Sequence, residues 1–151
     1  MNIHPLIVHF PIALLLTSVL ADLLALLRLR TVFKDVALFL LILGVIGAVA
    51  AGVSGERAAE AVAHLPDLRE AVEQHEDFAT GTIWLFIALL LSRLYMVIKG
   101  RFVSIFRAAY FIVSLAAGGL LMATAYSGGN LVYERGAGVK PVMNQAFPAE
   151  R

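Results

Sequence analysis

The chain has 151 residues, 60% of them hydrophobic and 15% charged, with a formal net charge of +1 and a mean hydropathy of +0.85. That balance excludes a water-soluble domain of this size. Cysteine is absent, so disulfides, thiolate ligands and cysteine nucleophiles are excluded too, and any bound metal must use imidazole, carboxylate or carbonyl donors.

A spanning helix needs about 20 mostly apolar residues. Four runs qualify: Leu6 to Leu27, Val36 to Val53, Thr80 to Ile98 and Ser104 to Tyr126. They predict an all-α fold, an integral membrane four-helix antiparallel bundle, as a single domain over residues 1–151.

The N-terminal stretch, Met1 to Phe10, carries no Lys or Arg, and no small-residue cleavage site follows the first run, so that span is expected to stay in the mature protein. Its outer end carries His4 and His9. His9 lies one to two turns inside the apolar run, where an unpaired polar ring is costly and is expected to face the bundle. Pro11 removes the backbone bond to the Ile7 carbonyl and loosens the helix at that level. His4 and His9 are five positions apart, roughly 140° around a helix, so they cannot both point at one centre, and the depth of His9 ranks it above His4. At the other end, Asp22 is expected to pair with a cation such as Arg93 or Arg28.

The second run has two rows of small residues, Gly44, Ala48, Gly52 and Gly47, Ala51, Gly55, which suit close helix packing or, compatibly, leave space for a flat ligand. The loop after it is acidic. Seven carboxylates between Glu56 and Asp77 face only Arg57 and Arg69. Pro66 and Asp67 within it make a helix start, and Leu68, Val72, His75, Ala79, Thr82, Phe86 and Leu89 follow at spacings of three and four. The third helix is therefore predicted to begin before the membrane with His75 on its inward seam, and His64, before Pro66, to be solvated.

The fourth run carries Ala116, Ala117, Gly118, Gly119, Ala123 and Ala125. It ends in Tyr126-Ser127-Gly128-Gly129-Asn130-Leu131-Val132-Tyr133, then Gly136-Ala137-Gly138, expected to be a helix cap and turn, or flexible backbone where a ligand approaches. No internal repeat or low-complexity stretch is expected.

Seven of the twelve cations, Arg28, Arg30, Lys34, Arg93, Lys99, Arg101 and Arg107, cluster at the first and third connections. Short basic loops stay cytoplasmic, which predicts a bacterial cytoplasmic (inner) membrane protein with both termini and all four histidines on the periplasmic side. The cations sit at membrane ends, which argues against nucleic-acid binding, and no serine-nucleophile, phosphate-loop or zinc-protease motif is present.

Two neutral imidazoles from different helices at one depth can ligate a haem iron axially, with small residues making room for the porphyrin. The leading expectation is a small b-type haem protein with His9 and His75 as ligands, His4 and Arg57 on the propionates, and Phe10, Phe78, Trp84, Tyr126, Gly128 and Gly129 around the ring. It would move electrons between quinol and a periplasmic redox partner. The alternatives are a non-haem Cu, Zn or Fe site built from His4, His9, His75 and Glu76, serving binding or transport, and a non-catalytic subunit of an oligomer or larger membrane complex.

The opening His4-Pro5-Leu6-Ile7-Val8-His9-Phe10-Pro11-Ile12-Ala13-Leu14, His75 before the third span, and the segment Tyr126 to Tyr133 with Gly136 and Gly138 resemble, end to end, the bacterial membrane family called domain of unknown function 2231. The resemblance implies four spans. It also implies a histidine at the position where this chain has Arg135.

Overall fold

Apolar side chains in a bilayer leave the backbone no water to bond, so each run must satisfy its own amides as a helix. The computed structural model describes residues 3–27, 32–100 and 104–137. These form four helices, α1 His4–Leu26, α2 Val32–Val62, α3 Pro66–Ile98 and α4 Ser104–Tyr133, with no strand among the described residues. All four are long and apolar enough to cross a membrane. Arg28, Arg30, Arg101, Gly138 and the chain beyond lie outside the described residues.

Local chemistry sets the ends. Pro66 opens α3 with Asp67 in the first turn, where a missing N–H costs nothing and a carboxylate meets the positive end of the helix dipole. Gly100, at φ 62°, turns the chain out of α3. The acidic connection is thus mostly helix: α2 runs nine residues past Val53, and α3 starts well before Thr80. With 33 residues, α3 is about 50 Å long, about 20 Å more than a hydrocarbon core of roughly 30 Å requires. Arg69 and Glu73, 2.9 Å apart near its start, form an exposed ion pair one turn apart.

The expected cap and turn fall in the second half of the glycine segment: α4 continues past Tyr126 and through Gly128 and Gly129 to Tyr133. It is Gly136, at φ 66°, that reverses the chain, and the Ala137 N–H returns to the Leu131 carbonyl at 2.8 Å.

Each helix turns one alternating three-and-four row inward. In α1 the row is His4, Val8, Pro11, Leu15, Ser18, Asp22 and Ala25, and in α2 it is Ala37, Leu41, Gly44, Ala48, Ala51, Gly55 and Ala58. In α3 it is Leu68 through Leu89 as expected, extended to Arg93; in α4 it is Tyr110, Ser114, Ala117, Leu121, Thr124, Gly128 and Leu131. All these residues are buried or half-buried. A mean spacing of 3.5 keeps one seam facing its neighbours along the whole helix.

The core they build centres on Leu15, Leu41, Phe86, Ala117 and Leu121. Neighbours in the ring α1–α2–α3–α4 pack directly, α1 on α2 most closely and α1 on α4 least, while diagonal helices meet only through side chains. The small rows of α2 serve the closest contact. A Cβ on Gly44 would lie 2.5 Å from Leu15 Cδ2, and one on Gly47 would lie 3.3 Å from Pro11. Leu6, Trp84, Ile112 and Tyr126 lie on the outer surface, which is as apolar as the interior.

At the basic end one side chain ties the ring together. Arg93 of α3 is 1% exposed, and its Nη1 donates to both carboxylate oxygens of Asp22 in α1, at 2.5 and 2.6 Å. Its Nη2 donates to the Lys34 carbonyl in α2 at 2.7 Å, and its guanidinium lies 5.5 Å from the centre of the Tyr110 ring in α4. The expected pairing of Asp22 with Arg93 is therefore present, across the diagonal.

Candidate functional site

The opposite end holds the histidines. His4, on the α1 seam, accepts its place from α2: its Nδ1 lies 2.9 Å from Ser54 Oγ, and its ring rests on Gly55, where a Cβ would come within 3.2 Å of Cε1. His75, on the α3 seam, repeats this against α4. Its Nδ1 lies 2.8 Å from Ser127 Oγ, and its ring rests on Gly128, where a Cβ would come within 2.9 Å of Cε1.

The hydroxyls decide the tautomer. Ser54 Oγ donates its one hydrogen to the Ala51 carbonyl, and Ser127 Oγ donates to the Thr124 carbonyl, both at 2.9 Å. An oxygen committed in this way accepts from the imidazole, which favours the neutral tautomer with its hydrogen on Nδ1. The rings also bond to the same two carbonyls, which have no hydrogen to give. Nε2 is left as the basic, ligating nitrogen of each ring, the arrangement in which a second-shell partner fixes a metal-binding histidine. The rings are near enough for charge on His4 to act on His75. Beneath His75, Thr82 and Thr124 share a hydrogen bond of 2.8 Å, and Thr124 also donates to the Leu120 carbonyl.

The chain therefore carries a positional repeat that residue identity conceals. His4 and Asp22 are eighteen residues apart in α1, and His75 and Arg93 are eighteen apart in α3. The Ser-Gly pairs 54–55 and 127–128 stand at matching places in α2 and α4. Each helical hairpin supplies one imidazole on one Ser-Gly seat, and the two halves are tied across the diagonal by Asp22 and Arg93.

Several expected site residues are placed elsewhere. His9 is exposed on the outer surface of α1, its Nδ1 donating to the Pro5 carbonyl at 2.6 Å, so it does not join His75 and the expected His9–His75 pair is corrected. The reason is helical phase: His9 stands two residues before Pro11, about 200° from the seam that contains His4 and Pro11. Phe10, Trp84 and Tyr126 are 58%, 66% and 74% exposed and line no interior space. Arg57, His64, Glu76 and Arg135 are exposed, Arg135 being bonded through Nε to Asn130 Oδ1 at 3.4 Å. Gly128 touches His75, but Gly129 has nothing within 4 Å of a built Cβ. Ser54, unremarked in the sequence, is a partner of equal standing to Ser127. Its signal was the recurrence of Ser-Gly one helix after each seam histidine. Among the described residues, no three of His, Asp or Glu converge to hold a metal ion.

The family model described as "predicted membrane protein (DUF2231)" matches residues 1–141. The chain belongs to the DUF2231 family. No curated protein and no solved structure matches it. In this DUF2231 chain the glycine seats make a contrast that can be measured. Gly128→Ala drives a methyl group into the His75 ring and is expected to cost about 1–3 kcal/mol, whereas Gly129→Ala, one residue on, meets nothing and is expected to stabilise the helix by about 0.5–1 kcal/mol. Thermal unfolding of the two variants in one detergent checks this, and equal losses would contradict the seating of His75.

Proposed function

We propose that the chain is a small b-type haem protein whose axial ligands are Nε2 of His4 and Nε2 of His75, transferring electrons at the acidic end of the bundle. One observation carries this reading: each imidazole sets Nδ1 within hydrogen-bond distance of a serine hydroxyl that also bonds a backbone carbonyl, an arrangement that favours the hydrogen on Nδ1 and Nε2 as donor. Two neutral nitrogen donors from opposite sides are what a haem iron takes from protein, since the porphyrin supplies the rest and the one-electron chemistry. A lone zinc ion usually takes three or four protein ligands, so the pairwise donor set favours the porphyrin over a bare ion.

His9 supports quinol as the electron source. Its Nδ1–H is committed to the Pro5 carbonyl, so Nε2 is an acceptor on the lipid-facing surface, where a quinol hydroxyl can donate to it. The cation-rich connections support placing the histidine end, and with it the redox partner, on the periplasmic side of an inner membrane.

The test is the absorption spectrum of detergent-solubilised protein expressed with adequate haem. A Soret band is expected in the wild type and in His9→Ala, and is expected to be lost in His4→Ala and His75→Ala. A wild type without that band, or a band indifferent to His75→Ala, overturns the proposal. Stoichiometric copper, zinc or iron without a Soret band would assign the pair to a bare metal ion instead.

A further inference from the structure

The loosest contact in the ring, α1 against α4, leaves a groove of about 340 Å3 open on the lipid side. Its walls are aliphatic, Leu16, Leu20 and Leu23 from α1 with Leu115 and Met122 from α4, and its floor is Gly118 and Gly119. A Cβ on Gly119 would meet nothing within 4 Å. Along α4 the groove runs from Phe111 to Met122, roughly 16 Å, the depth of about one leaflet of a 30 Å hydrocarbon core.

Its basic end has a charge to match. Arg107 stands one turn before Phe111, half-buried, with Nε shielded from solvent and without a hydrogen-bond partner among the described residues. The nearest acid on that wall is Asp22, whose carboxylate is already taken by Arg93, so Asp22, Arg93 and Arg107 together leave one positive charge uncompensated. The enclosed space among Asp22, Tyr110 and Arg107 is about 10 Å3, enough for one water and not for a headgroup, so an anion must meet Arg107 on its open side.

We propose that the α1–α4 groove binds one anionic phospholipid, its acyl chain along Gly118 and Gly119 and its phosphate on Arg107. Cationic pockets between spanning helices select such lipids, because each surface cation adds to the attraction while the groove takes the chain. The site lies at the end of the bundle opposite the histidines and is independent of them.

Native mass spectrometry of the full chain in detergent tests this, with phosphatidylglycerol and phosphatidylethanolamine of identical acyl chains supplied at equal concentration. The wild type is expected to retain phosphatidylglycerol about fivefold over phosphatidylethanolamine. Arg107→Gln is expected to bring that ratio to about one, and Gly119→Leu, whose Cβ has open space and whose side chain would occupy the groove, to reduce retention of both lipids. Arg69→Gln, on the exposed acidic end, should leave the ratio at its wild-type value. Equal retention by the wild type, a ratio untouched by Arg107→Gln, or retention untouched by Gly119→Leu overturns the proposal. So does displacement of the lipid by inorganic phosphate alone, co-purification of quinone in its place, or a dimer that covers the groove.

Discussion

Arg93→Met is expected to destabilise the bundle by about 3–5 kcal/mol, the largest loss for any single side chain here. Arg93 is 1% exposed and carries bonds to three other helices. Removing it strips Asp22 of its counter-charge in a setting that offers little water, and frees the Lys34 carbonyl as well. Most of that cost is the abandoned partner rather than the net value of the pair. The double variant Asp22→Leu, Arg93→Met should therefore recover a large part of the loss, because nothing charged remains to be desolvated. Thermal unfolding of wild type, both single variants and the double variant in one detergent measures the coupling. Additive losses, with no recovery in the double variant, would show that Arg93 acts by packing on Tyr110 and not through Asp22.

The same pair marks how far sequence reasoning reaches. Length and hydropathy determined four spans, and the Pro66-Asp67 start with its three-and-four row placed α3 and the inward face of His75. Asp22 was legible because a carboxylate in an apolar run needs a cation at its own depth, and Arg93 stands there. Those inferences rest on constraints the bilayer imposes residue by residue.

His9 was misplaced because depth was weighed without phase. In a soluble helix an apolar stripe marks the inward face, but here the lipid-facing side is as apolar as the core, so the stripe disappears. What remains is a row of small and polar residues, and in α1 that row steps by sevens through His4, Pro11, Ser18 and Ala25. Following it back from Ser18 leads to His4 and passes His9 by. In α4 the glycine segment from Gly128 to Gly138 suggested a cap and turn without saying which glycine makes it; Gly128 is helical and makes room for a histidine ring, and the turn falls to Gly136, beyond the core row. The Ser-Gly seats left only their recurrence in the sequence, whose meaning depends on which helix lies opposite.

Ser54→Ala and Ser127→Ala are each expected to weaken cofactor retention by about 10–100-fold, as loss of an outer-shell partner does at histidine sites, while leaving the fold intact. Each serine fixes one ring by accepting from Nδ1, and without it the imidazole can turn or place its hydrogen on Nε2, where it blocks ligation. Because the two hairpins repeat the same seat, the two variants should weaken haem to similar extents, and the double variant should lose it. Titration of haem into purified apoprotein, followed at the Soret band, gives the three affinities. Threonine at either position keeps the hydroxyl and should restore most of the affinity, which separates hydrogen-bond loss from disturbed packing. Strong weakening by Ser127→Ala beside none by Ser54→Ala would mean that His75 alone ligates, and the paired site would have to be replaced by a five-coordinate one in which His4 serves only as a neighbouring base.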